Sequence, residues 1–175
     1  FNSLVEDIEV KNNEIKALKI LEVDSQKRYT YDIDKVIFAI GHSSRDTYKM
    51  LHSRGVAMEN KPFAIGVRIE HLRKDIDKMQ YGEAVSNPLL EAATYNMAFN
   101  NKKETRGTFS FCMCPGGEIV NASSELGASL VNGMSYSTRS GKFSNSAIVV
   151  GISEKDYANQ IFSGMYLQEK LEKKN

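Results

Sequence analysis

Cysteine is scarce in this 175-residue chain: only Cys112 and Cys114 occur, with a single residue between them. A mutual disulfide across so short a gap is sterically awkward, so disulfides are not expected to hold the fold, and a cytoplasmic setting is the default expectation. Long apolar runs are missing as well. The longest, Val36 to Ile40, falls far short of the roughly 20 residues that a membrane-spanning helix needs. Net charge is nearly absent, because 23 basic and 22 acidic residues leave +1. Such a balance creates no global field for nucleic acid, a membrane surface or an acidic partner, and no basic stripe with interleaved aromatics compensates for it. The chain also lacks a basic leader followed by an apolar stretch, and it opens on Phe1 rather than Met, so it reads as an interior cut through a longer protein. No internal repeat or low-complexity linker interrupts it.

What is present is enough apolar material, 41% of residues, to bury a core in one ordinary domain or two small lobes. From Leu4 to Val23 the β-branched positions Val5, Ile8, Val10, Ile15 and Ile20 flank Asn12-Asn13, a turn pair, and predict a β-hairpin. Tyr29 and Tyr31 alternate with polar neighbours. Val36 to Ile40 is apolar at every position, which predicts a fully buried strand ending at Gly41. Ser43 and Asp46 have capping-box spacing ahead of Tyr48 and Leu51, and Gly55 can close that helix in a left-handed conformation.

Further on, Phe63 to Ile69 predicts a strand, Leu72, Ile76 and Met79 an amphipathic helix, and Asn87-Pro88 the start of another short helix. From Thr94 to Val150 short apolar runs alternate with Gly-, Ser- and Asn-rich turns, which predicts a β-rich lobe. Ser153 and Asp156 repeat the capping-box pattern before Tyr157, Ile161 and Met165, and Glu and Lys alternate from Glu169 to Lys174. The fold class expected is α+β.

Four segments carry chemistry-bearing residues. Asp34 to His42 would deliver Gly41 and His42 at the carboxyl end of a strand, the end that faces ligands in open α/β sheets, although a turn glycine serves structure equally well. Lys61 to His71 places Arg68 and Glu70 on one side of a strand, where they can orient a polar substrate or form a structural ion pair. Ser110 to Gly117 ends in Pro115-Gly116-Gly117, whose amides can form an anion nest or simply a tight turn. Cys112 and Cys114 lack the second ligand pair usual for zinc, and read as buried, inert thiols among Phe109, Phe111 and Met113. Asn132 to Arg139, with Asn145-Ser146-Ala147, gathers amides, hydroxyls and Arg139 around flexible turns that can line a polar pocket or serve as plain loops.

Taken together and in order, Phe38 to Thr47, Lys61 to His71, Ser110 to Gly117, Asn132 to Tyr136 and Asn145-Ser146-Ala147 resemble the uncharacterised FAD-dependent dehydrogenase family over nearly the whole chain. That family is similar to the flavoproteins with two dinucleotide-binding domains, in which a second domain is inserted into the FAD domain. The resemblance implies a strand-rich piece of an FAD-binding domain over residues 1–47 and a substrate-side inserted domain, truncated at its C-terminus, over 48–175. It implies FAD as cofactor of the parent, with Val5, Gly41 and His42 near it. It places Arg68, Glu70, Cys112, Cys114, Gly116, Gly117, Arg139 and Asn145 near the cleft of a small-molecule substrate. The family's Gly-x-Gly-x-x-Gly fingerprint does not occur here, so this chain by itself is expected to be inactive and to hold FAD only weakly, its partners being the remaining segments of the FAD domain. Two other readings stand beside this one: a non-catalytic protein-binding module built on the β-rich lobe, and a redox-active or metal-binding cysteine protein.

Overall fold

A computed structural model describes residues 1–101 and 106–173. The chain divides into two compact units, Phe1–Glu59 and Asn60–Asn175. Among the described residues no helix is long and apolar enough to cross a membrane.

In the first unit, β1 (Ser3–Lys11) and β2 (Glu14–Glu22) form the expected antiparallel hairpin. Asn12 and Asn13 both take left-handed φ, +53° and +60°. That is the turn whose twist matches the twist of the strands it joins, and asparagine tolerates it better than most residues. A third strand, β3 (Arg28–Asp32), pairs antiparallel with β2, which is therefore central. Ile8, Ala17 and Leu21 are buried. The helix α1 (Arg45–Ser53) adds Leu51 to the buried set and ends before Gly55, whose φ is +84°. Arg54 grips Asp7 with a two-pronged contact, and this guanidinium, outweighing partial burial, holds the Asp7 carboxyl below the usual carboxylate range.

Two expectations for this unit fail. Val36 to Ile40 is not a strand, and Ile37 is 91% exposed. An all-apolar strand is stable only with neighbours to take its backbone hydrogen bonds and cover its faces, and no described strand pairs with this run. The Ser43–Asp46 capping box does not form either. Ser44 is the N-cap and makes no side-chain capping bond; its hydroxyl donates back to the Ile40 carbonyl at 2.7 Å, while Asp46 accepts from the amide of Thr47.

The second unit is built on an antiparallel sheet. Its strands are β4 (Phe63–Leu72), β5 (Ala98–Asn101), β6 (Arg106–Cys114) and β9 (Phe143–Ile152), in the order β4-β9-β6-β5. The last strand in sequence thus lies between β4 and β6. A separate ribbon pairs β7 (Gly117–Asn121) with β8 (Val131–Ser135). α2 (Arg73–Tyr81) follows β4 without a loop, and α3 (Ser163–Glu172) comes after β9. The mixed, strand-rich α+β class expected from the sequence is the class observed.

The middle of this sheet is polar. Ser144, Asn145 and Ser146 of β9 are fully buried, and Ser110 of β6 is nearly so. Burying a polar group costs free energy unless it is hydrogen-bonded. Ser144 accepts from the amide of Gly116 at 3.1 Å, and the Ser110 hydroxyl accepts from the amide of Met97 at 2.7 Å.

Two further expectations are corrected here. No helix starts at Asn87-Pro88. A 3-10 turn, Gly82–Ser86, ends just before it, and Asn87 Oδ1 accepts from the Leu89 amide at 3.0 Å, a local side-chain turn that competes with helix. The Ser153–Asp156 capping box does form, with the Ser153 amide 2.8 Å from Asp156 Oδ2, but it caps only the 3-10 turn Glu154–Asp156. α3 begins separately after Phe162, which sits at φ +70°. Lys174, last of the alternating charges, lies outside the described residues, as do residues 102–105 of the β-rich lobe.

Candidate functional site

Arg68 lies on β4 opposite Ala147, and Glu70 lies opposite Asn145, which in turn faces Cys114 of β6. Residues opposite one another across strands share a face, so Arg68, Glu70, Asn145 and Cys114 are brought to one side of the sheet. Arg68 and Glu70 do project together as expected, yet among the described residues they form no ion pair. Instead Nη1 of Arg68 donates to Asn145 Oδ1 at 2.7 Å and to the Cys112 carbonyl at 3.0 Å, and lies 3.9 Å from Cys114 Sγ. Nη2 reaches Asn132 Oδ1 at 3.4 Å. A charged fork held by neutral oxygens from three strands ties the sheet to the ribbon. The close approach needs Gly133: a Cβ there would lie 2.3 Å from Arg68 Nη1 and 2.4 Å from Asn145 Oδ1.

The two thiols have different environments. Cys114 is buried and Cys112 is exposed, against the expectation that both are buried. The cause is a slip of register between β6 and β9 from Phe111 to Cys114, with Cys112 at φ +49°. This bulge turns Cys112 outward and returns Cys114 to the face opposite Asn145. Burial pushes the Cys114 thiol above its ordinary pKa, the neighbouring Cys112 adds to the rise, and Arg68 partly opposes it. Cys114 donates to the Cys112 carbonyl at 3.3 Å.

Pro115, Gly116 and Gly117 are buried, so their amides are not an open nest. The Gly116 amide is taken by Ser144, and the Gly116 carbonyl accepts from Gly141 at 3.2 Å. Gly116 sits at φ +54°, and a Cβ there would fall 1.9 Å from the Arg139 carbonyl; at Gly117 it would fall 2.0 Å from the Met134 carbonyl. The turn is a floor on which the 134–141 segment rests.

That segment borders an open cleft of about 440 Å³, lined by Arg73, Glu91, Ser137, Thr138, Arg139 and Ser140, with Leu90 and Ala92 as its apolar part. Arg139 Nη1 lies 3.3 Å from Glu91, and Arg73, first residue of α2, lies 3.5 Å from Asp77. Of the sequence-predicted residues, Arg139 lines this cleft and Gly116 supports it from below. Arg68, Asn145, Cys112 and Cys114 form the separate cluster described above, with Glu70 exposed on the same strand face.

Val5, Gly41 and His42 belong to the first unit. Val5 is half-buried in β1 opposite Ile20. Gly41 has φ +69° with open space where a side chain would be, its carbonyl accepts from Tyr48 Oη at 2.8 Å, and His42 beside it is exposed. Arg73 and Glu91 escaped the sequence reading, because each is an ordinary surface charge until the chain brings it opposite residues 137–140. The one available signal was the run of hydroxyls around Arg139.

Residues 62–175 match the family described as FAD-dependent protein, C-terminal domain-like. A protein of Clostridium beijerinckii, carrying only the description "uncharacterized protein", is 43% identical over 173 residues. The match takes in 98% of this chain and 31% of that protein, so the chain spans about a third of the length of its relative.

Proposed function

The chain belongs to the FAD-dependent protein family, through its C-terminal-domain-like part, and from that membership we propose that it is a section of a flavin-dependent oxidoreductase of the dehydrogenase kind. The observation that carries this reading is the family match over residues 62–175, nearly the whole second unit. In this reading residues 1–47 belong to the FAD-binding domain and residues 48–175 to the inserted, substrate-side domain, and the parent works in the cytoplasm.

The first unit offers FAD a flank and no more. Gly41, left-handed and open on its Cβ side, precedes the helix α1, whose N-cap Ser44 makes no side-chain capping bond. Backbone of this kind admits a phosphate or ribose at close range, and the helix N-terminus favours its negative charge. Val5, Gly41 and His42 would hold that edge of the cofactor. Residues 36–40, which would close such a half as a strand, are not paired in this chain, which supports weak binding by the isolated piece. Bound FAD supplies the two-electron chemistry; the chain's own residues position and shield the reactants.

On the substrate side, Arg68, Asn145 and Cys114 act as a fixed wall with Glu70 and Cys112 exposed beside it. Gly116 and Gly117 form the floor under Arg139, which makes the contact with substrate. Absorbance spectra test the proposal. The full-length parent is expected to be yellow as purified and to lose its colour on reduction, and the 175-residue chain to be colourless. A colourless parent that takes up no added FAD removes the oxidoreductase reading.

A further inference from the structure

We infer that the cleft between the start of α2 and residues 137–140 is a binding site for an oxyanion, a carboxylate or phosphate group. That its bearer is the parent's substrate rests on the oxidoreductase reading; the site itself rests on the geometry that follows.

Its lining carries two guanidinium groups, Arg73 and Arg139, against one carboxylate, Glu91, and adds the hydroxyls of Ser137, Thr138 and Ser140. Guanidinium forks and hydroxyl donors are the groups that suit the oxygens of carboxylates and phosphates. Neither arginine is saturated. Among the described residues the Arg73 side chain has one polar contact, at 3.5 Å with Asp77, and its buried Nε has no hydrogen-bond partner. Among the described residues the Arg139 side chain has one polar contact, at 3.3 Å, with a Glu91 whose side chain is 81% exposed. An ion pair so open to water holds weakly and is readily exchanged. Glu91 is thus an internal carboxylate resting where an external one would bind.

The remaining features agree with a small polar guest. Thr138 and Ser140 hydroxyls lie 2.9 Å apart, so one donates to the other, whose own proton is left to donate outward. Arg73 is the first residue of the nine-residue helix α2, whose N-cap, Leu72, provides no side-chain cap. Arg139 is held at φ +49° on the Gly116 floor, which limits the movement of its backbone. Two apolar residues in a lining of eight leave little for a large aromatic ligand to bury against.

The test is a calorimetric titration of the whole 175-residue chain with inorganic phosphate and, separately, with succinate at constant ionic strength. Saturable binding of either is expected, phosphate alone pointing to a phosphoryl-bearing molecule and succinate alone to a carboxylate. R139M, an exposed position, should keep its melting temperature and weaken binding at least tenfold. E91Q should strengthen binding severalfold, a change of sign that a merely structural ion pair does not produce. R73K, which keeps the charge but loses the fork, should weaken binding without unfolding the chain. Absence of saturation by both ions, or equal binding by the unmodified chain and R139M, overturns the site. Because no flavin enters this experiment, its failure and a colourless parent are separate results.

Discussion

Arg68 places Nη1 2.7 Å from Oδ1 of Asn145, a residue with no exposed surface, in the interior of the second unit. The pair joins β4 to β9, and through the Cys112 carbonyl Arg68 also joins β4 to the bulge in β6. A charged donor bonded to a buried neutral acceptor is worth more than an exposed ion pair, and its removal leaves that acceptor unmet. R68M is therefore expected to destabilise the chain by about 1.5 to 3 kcal/mol. N145A should cost a similar amount, and the double variant less than the sum of the two, which urea unfolding of all four proteins measures. Strict additivity would show that the two residues do not act as a pair.

Gly133 is the space that this cluster needs. G133A puts a methyl 2.3 Å from the Arg68 guanidinium and 2.7 Å from Cys114 Sγ, so it should lower stability by roughly 1 to 3 kcal/mol. Gly151, also in the second unit, has nothing within 4 Å of its missing side chain. G151A should change stability by no more than about 0.5 kcal/mol. Thermal melting of both variants reads the contrast, and equal effects would mean that crowding at Gly133 is not what matters.

The thiols should separate by reactivity. Cys112, exposed on its bulge, should label within minutes of adding a thiol reagent to the native chain, and Cys114 only on unfolding. The raised pKa of Cys114 also sets a pH dependence. The folded state holds this proton more tightly than the unfolded state, so the stability it contributes is complete below the ordinary thiol pKa and is lost as pH rises beyond it. The melting temperature should fall as pH rises above about 8.5, and C114A should reduce that fall. Equal labelling of both cysteines would contradict the burial on which both expectations depend.

His71 gives the opposite sign at the acid end. Its Nε2 is buried without a hydrogen-bond partner, its ring lies 5.5 Å from that of Tyr95, and burial lowers its pKa despite the opposing charge of Glu70. The folded state resists protonation, so stability is present above the ordinary histidine pKa and is lost as pH falls below it. As pH falls below about 6.5 the melting temperature should drop, and H71F should flatten the profile. This window lies above that of Asp7 and Asp156, whose carboxyl pKa values are lowered. An unchanged slope in H71F would assign the loss to other groups.

Local rules were enough wherever the deciding contact lies within a few residues. Asn12-Asn13 between β-branched runs specifies a tight hairpin turn because only a few side chains tolerate two successive left-handed residues, and Gly55 ends α1 for the same reason. The alternation through Arg68 and Glu70 likewise determines that they share a face, since side chains on a strand repeat every second residue. Neighbours distant in sequence decided the rest. Val36 to Ile40 has the composition of a buried strand but no strand beside it, and backbone groups without partners do not make a sheet. Arg68 meets Asn145 only because β9 inserts between β4 and β6, and Cys112 turns outward only because the β6–β9 register slips. Arg73 and Arg139, 66 positions apart in the chain, come to line one cleft through the packing of the sheet, its following helix and the glycine floor, none of which a local pattern encodes.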